Sequence, residues 1–280
     1  MRFDVLGEHR HFAESVRASI GAWEPSREPD FGAWLDDRDD SLAHGLAGVG
    51  WSALGADPAL LGPAVAGGIE LGRACAPVCL LDEATLGAPL WTGGRARHGA
   101  HAAELAVPRP LGGLALAVPV GDVVEERTLD GSGTVRVGVE LREELPAPAA
   151  GARWAAWSAV TLAYLAGLAE RTLELAVEHV RTREQFGAPL GALPAVQARL
   201  ADAALATDGV GLLAWRAATA EPGPAEEEWA WAGAACCEVT ASAHQVHGAV
   251  GFALETGLHR GYRRARALHA WSSAVAGALR

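Results

Sequence analysis

The sequence predicts a mainly α-helical protein in three parts: an N-terminal helical domain over 1–104, a severely shortened β segment over 105–150 and a C-terminal four-helix bundle over 151–280. Three observations carry this reading. Apolar residues recur with helical spacing at both ends of the chain, period-two alternation is confined to a short middle stretch, and Pro146-Ala-Pro-Ala-Ala-Gly151 marks a boundary between middle and end.

The first part reads as short helices separated by turn signals. Phe12, Val16 and Ile20 recur every fourth residue and define one apolar stripe. A loop containing Pro25, Pro29 and Asp30 follows, and Leu35, Leu42, Leu46 and Val49 lead into a Gly/Ala-rich stretch. Helices over Pro63–Arg73 and Leu80–Leu90 complete the set, which ends at Gly93-Gly94. In the middle, Leu114–Val120 is apolar without helical spacing, Asp130-Gly131-Ser132-Gly133 is a turn, and Thr134–Leu141 alternates. Two to four strands are expected there.

From Arg153 onward the chain is helical again. The helix to Arg181 is apolar all round in its first half, whereas Glu170, Glu174, Glu178 and Arg181 share a face in its second, so it leaves the core partway along. An amphipathic helix with Val196, Leu200, Ala203 and Leu212 comes next. The linker at Glu221-Pro-Gly-Pro then precedes Glu226-Glu227-Glu228, acids that favour a helix start. That helix has a stripe of small residues (Ala232, Ala235, Cys236, Val239, Ala243) suited to close packing and stops near Gly248; a last helix runs from about Leu258.

Composition excludes several functions. A net charge of −11 argues against a surface that neutralises nucleic-acid phosphates. Half the residues are apolar and mean hydropathy is +0.12, which excludes a disordered chain. The N-terminus lacks the apolar stretch of a secretory signal, and Ala155–Ala169 is too short to span a bilayer, so a cytoplasmic protein without a membrane partner is expected. Cys75, Cys79, Cys236 and Cys237 read as buried small hydrophobes of a reducing compartment. His98-x-x-His101 and His244-x-x-His247 have spacings a metal tolerates. No carboxylate sits at a useful offset, however, and they read as surface or cap histidines; no metal is expected.

Two segments stand out: Arg181-Thr-Arg183-Glu-Gln185-Phe186-Gly187-Ala-Pro189-Leu190 with Val196-Gln197, and Gln245-Val-His247-Gly248-Ala249-Val-Gly251-Phe252 with Glu255, Tyr262 and Arg263. Together they resemble the C-terminal bundle of the acyl-CoA dehydrogenase family, and Glu70-Leu-Gly72-Arg-Ala-Cys-Ala76-Pro77-Val78 resembles its N-terminal helical domain. The resemblance implies the acyl-CoA dehydrogenase-like fold and assigns Arg183, Gln185, Phe186, Gln245, Gly248 and Ala249 to the ADP end of an FAD shared with a partner subunit. The chemistry agrees: an Arg at a helix end forks onto a pyrophosphate, Phe186 offers a ring face, and bare backbone at Gly248 donates to phosphate oxygens. Two positions depart from the family pattern, Ala249 in place of its second glycine and Pro194 in place of the glutamine of its Phe-Gln pair.

The same resemblance puts Ser272 and Trp157 at the two positions where family members carry the glutamate that abstracts the substrate's α-proton, so no catalytic residue is expected in this chain. His269 precedes Ser272 by three residues, so one helix face can hold both. The family's strand domain around the flavin ring has no counterpart between Leu105 and Pro146 beyond its tail near Thr128-Leu-Asp130. The reading that follows is the reduced, non-catalytic subunit of a heteromeric FAD-dependent acyl-CoA dehydrogenase. A full-length acyl-CoA dehydrogenase partner would bind the acyl-CoA substrate, and analogy points to a steroid side-chain thioester. The alternatives are a stand-alone protein of this fold with repurposed lyase or cyclase chemistry and a non-enzymatic scaffold.

Overall fold

A computed structural model describes residues 7–23, 40–55, 57–97, 102–128, 133–185, 187–219 and 225–280. The loop expected around Pro25–Leu35, the His98/His101 pair, the turn over 130–132 and the Glu221–Pro224 linker lie outside the described residues.

The N-terminal helices are α1 (Gly7–Ala22), α2 (Asp40–Gly48), α3 (Leu61–Arg73) and α4 (Cys79–Leu86). The stripe on α1 lies against the core as its spacing requires: Val16 is fully buried, with Phe12 and Ile20 packed beside it. Trp51 anchors the next turn by donating its indole N–H to Leu80 O at 2.9 Å.

A five-stranded antiparallel sheet follows: β1 (Trp91–Thr92), β2 (Arg95–Arg97), β3 (Leu105–Arg109), β4 (Gly113–Arg127) and β5 (Gly133–Glu144), in the order β1-β2-β5-β4-β3. Five strands exceed the two to four expected, and the first two precede residue 105. Gly93 and Gly94, read as the end of a helical set, are the turn of a hairpin pairing Trp91 with Ala96 and Thr92 with Arg95. Both have positive φ (58° and 81°), the backbone that a tight two-residue hairpin turn demands. Strands of two and three residues are too short to print a period, so the glycine pair was their sole signal. One sheet face is apolar, with Ala96, Leu105, Val135 and Val137 buried together. On the β4–β5 hairpin Val120, Val123, Val124 and Leu141 are exposed.

The C-terminal part is the expected bundle: α5 (Ala147–Thr182), α6 (Pro194–Ala217), α7 (Glu226–His247) and α8 (Leu258–Leu279), with a small hairpin of β6 (Glu184–Gln185) and β7 (Ala188–Pro189) between α5 and α6. At 36 residues α5 is about 54 Å long and belongs to both helical parts. Its first half is buried all round from Trp154 to Ala169. Its second half turns outward, where Glu170 and Glu174 pair with Arg73 of α3 at 3.1 and 2.7 Å. Contact between α3 and α5 depends on glycine. A Cβ on Gly167 would run into Ile69 O, and one on Gly72 into Tyr164 O. The small residues of α7 bury Ala232, Cys236, Val239 and Ala243, as the stripe required. None of the four cysteines forms a disulfide; Cys79, Cys236 and Cys237 are buried as expected and Cys75 is half-buried, and burial pushes the Cys236 thiol upward, away from reactivity. Among the described residues no helix is long and apolar enough to cross a membrane.

Candidate functional site

A cleft of about 520 Å³ opens where the end of α5, the β6–β7 hairpin, the start of α6 and the end of α7 meet. Local backbone rules build it. Helix α5 stops at Thr182 because Arg183 is extended (φ −78°, ψ 122°), its N–H still closing onto His179 O at 2.8 Å. The chain reverses through Gly187 (φ 80°), pairs Gln185 with Ala188, and re-enters helix with Pro194 in the first turn of α6. Gln197, part of the first motif, donates Nε2 to Gly191 O at 2.8 Å and fixes that entry. Helix α7 ends at Gly248, whose φ of 63° with ψ of −141° is a conformation essentially reserved for glycine. That requirement explains Gly248 without appeal to a ligand, yet it also leaves the backbone at the cleft bare.

Of the six residues assigned to the ADP end of a cofactor, Arg183, Gln185, Gln245, Gly248 and Ala249 all line this cleft. Phe186 lies outside the described residues. The departures from the family pattern fall here too: Ala249 is exposed on the cleft wall, and Pro194 starts α6. Among the described residues, no hydrogen bond or ion pair occupies the side chains of Arg183, Gln185 or Gln245. Polar groups clustered without mutual partners are set up to meet a ligand.

Two histidines that sequence reasoning did not connect also face the cleft. His179 of α5 and His247 of α7 stack with ring centroids 4.0 Å apart. His247 Nδ1 lies 2.8 Å from Ala243 O, an acceptor only, so Nδ1 carries the proton. Burial, then the neighbouring His247, then Arg183 hold His179 below the ordinary histidine value. His244 Nδ1 points to Thr240 O, one turn back on its own helix, at 3.0 Å in the same manner. Among the described residues no group of three His, Cys, Asp or Glu side chains converges as a metal site.

The two positions expected to hold a catalytic base are interior. Trp157 is 1% exposed and donates Nε1 to Asp82 Oδ1 at 2.8 Å. Its ring packs edge-on against Trp229 (centroids 4.9 Å) and Trp154 (5.7 Å). Ser272 is also 1% exposed, and its hydroxyl donates to Leu268 O one turn back at 2.8 Å. The hydroxyl proton is therefore committed to its own helix and is not delivered to His269.

Sequence reasoning missed the centre of this region. Asp82 of α4, fully buried, accepts from Arg97 Nε (3.0 Å, to Oδ2) and Arg97 Nη2, from Trp157, and from Leu90 N at 3.3 Å. Arg97, 1% exposed, lies with Cζ 5.2 Å from the centroid of the Trp271 ring. One of two acids in Cys-Leu-Leu-Asp-Glu-Ala-Thr-Leu and one of two arginines in a three-residue strand were the available signals. Neither identifies its partner 15 residues away.

With the geometry described, the comparisons define the class first. Residues 155–272 match the family model described as acyl-CoA dehydrogenase, C-terminal domain. The mitochondrial short-chain specific acyl-CoA dehydrogenase of Bos taurus is 41% identical over 106 residues, covering 36% of this chain and 26% of that protein. The match spans about a quarter of the curated relative's length. Two solved structures extend the likeness across the chain. The Tcur3481-Tcur3483 steroid ACAD superposes with a TM-score of 0.73 at 19% identity, over 96% of this chain and 95% of that one. The ChsE4-ChsE5 complex from Mycobacterium tuberculosis does so with a TM-score of 0.69 at 20% identity, over 99% and 96%. The chain has the acyl-CoA dehydrogenase fold, and its residues 155–272 match that family's C-terminal domain.

Proposed function

We propose that this chain is the non-catalytic subunit of a heteromeric FAD-dependent acyl-CoA dehydrogenase and closes over the ADP end of a flavin whose ring is held by a full-length partner. The observation that carries the reading is the division between the two regions just described. The cleft collects uncommitted Arg183, Gln185 and Gln245 around the bare backbone of Gly248, whereas the base positions hold Trp157 and Ser272, both buried and both hydrogen-bonded elsewhere.

The cleft residues fit a dinucleotide's diphosphate. A guanidinium at the end of α5 presents a planar fork to phosphate oxygens, and two carboxamides and a peptide N–H at Gly248 supply further donors. When bound, the flavin supplies the acceptor for the hydride that leaves the acyl β-carbon. This chain's residues bind and orient the phosphates; the proton from the α-carbon goes to a carboxylate of the partner, which also binds the acyl-CoA. Two of the structures that share the fold are the Tcur3481-Tcur3483 steroid ACAD and the ChsE4-ChsE5 complex, which supports a heteromeric assembly acting on a steroid side-chain thioester.

The test is co-production with a full-length acyl-CoA dehydrogenase partner, followed by turnover assays on acyl-CoA thioesters. Replacing the partner's catalytic carboxylate should abolish dehydrogenation, whereas Ser272→Ala in this chain should leave it within a few-fold. Loss of turnover from Ser272→Ala alone, with the fold intact, would assign the chemistry to this subunit instead.

A further inference from the structure

We infer that Arg199, on the second turn of α6, is a second phosphate-binding guanidinium of the same cleft, and that with Arg183 it selects a diphosphate diester, the ADP half of a dinucleotide such as FAD. The inference rests on the reading of the cleft as an ADP site and adds a residue that neither the family pattern nor the comparisons assign.

Its basis is the position of two unpaired arginines: Arg10, Arg142 and Arg181 are also unpaired among the described residues, but they do not line this cleft. Arg17, Arg73, Arg95, Arg109, Arg136, Arg171 and Arg216 are each tied to a carboxylate at the surface, and Arg97 is tied to one in the core. Arg183 and Arg199 line one cleft and, among the described residues, form no ion pair or hydrogen bond. For Arg199 this holds although Asp202 and Glu238 line the groove that continues from the cleft between α6 and α7. Among the described residues no carboxylate lines the cleft itself, Asp202 and Glu238 lying in the adjoining groove, so an anion that enters the cleft meets two guanidinium groups and no opposing charge on its walls.

The charge count identifies the anion. Arg183 and Arg199 are the two guanidinium groups among the described residues that line the cleft, and no carboxylate lines it with them. A diphosphate diester brings about two negative charges. A coenzyme A tail brings its 3′-phosphate as well, for which the cleft offers no third guanidinium.

The experiment is calorimetric titration of the full chain with ADP, FAD, adenosine and coenzyme A, for the wild type, Arg183→Ala, Arg199→Ala and Arg199→Lys. Arg199→Ala should weaken ADP and FAD about tenfold or more and leave adenosine unchanged, with Arg199→Lys recovering part of the loss. Both arginines are exposed, so the fold should be unaffected, which circular dichroism checks. If Arg183→Ala weakens ADP while Arg199→Ala stays within twofold, this inference fails and the ADP reading of the cleft stands. Tighter binding of coenzyme A than of FAD overturns the assigned ligand. If the wild type binds neither ADP nor FAD, the inference and the cleft reading fail together.

Discussion

Replacing Asp82 with alanine should be among the most damaging single changes this fold can suffer. The carboxylate is fully buried and accepts four hydrogen bonds, two from Arg97 and one each from Trp157 and Leu90 N. Its removal leaves the Arg97 guanidinium, 1% exposed, without a counter-charge. Breaking a buried pair in this way costs about 3–5 kcal/mol, and each orphaned neutral donor adds roughly 1–3 kcal/mol where it cannot reach water. The Trp271 ring, 5.2 Å from Arg97 Cζ, offsets about 1 kcal/mol. The expected loss is about 4 kcal/mol or more, a large part of the ~5–15 kcal/mol by which domains are stable. Urea denaturation followed by circular dichroism reads it as a drop in midpoint at constant slope. The companion variant Asp82→Leu/Arg97→Met removes both charges and should recover most of the loss, since an apolar replacement of a buried pair is often neutral or better. A single-variant loss below about 1 kcal/mol, or a double variant no better than the single, would refute the claim that a desolvated charge dominates here.

Three further outcomes follow from the same geometry. Gly167→Ala should destabilise by about 1–3 kcal/mol or prevent folding, because its methyl meets Ile69 O, whereas Gly211→Ala, with nothing near its Cβ position, should cost nothing measurable in the same denaturation assay. Acidification should lower the melting temperature. Burial and neighbouring charges hold both His179 and His259 below the ordinary value of 6.5, so the unfolded chain takes up protons more readily. Stability is then full above that value and falls as pH drops below it, less steeply in His179→Phe; a midpoint unchanged between neutral and mildly acidic pH would contradict this. Trp157→Phe should cost about 1–3 kcal/mol through its lost bond to Asp82 while leaving turnover of the assembled enzyme within a few-fold, measured side by side on one preparation.

Long periodic elements were legible in the sequence because each repeats its burial pattern several times. The α1 stripe, the two-sided character of α5 and the small-residue face of α7 reappear in the structure, whereas of the run Pro146–Gly151, read as a boundary, all but Pro146 lies inside the start of α5. The β1–β2 hairpin was not legible, since two- and three-residue strands repeat nothing and Gly93-Gly94 suits a helix end as well as a hairpin turn. The cleft was legible in part. Arg183, Gln185, Gln245, Gly248 and Ala249 sit in two local motifs, whereas His179 and Arg199 join them only when α5, α6 and α7 are packed together. The Asp82–Arg97 pair was illegible for the same reason, being a tertiary contact between a helix and a strand whose local sequences announce neither partner.

The central claim, that this chain supplies one side of a shared FAD site, is tested most directly by the flavin-to-protein ratio read from absorbance after purification. The chain produced alone should be colourless, and the complex with its acyl-CoA dehydrogenase partner should carry stoichiometric FAD that Arg183→Ala in this chain depletes. A yellow, stoichiometric flavoprotein from this chain by itself, or a complex whose flavin content ignores Arg183, would contradict the account.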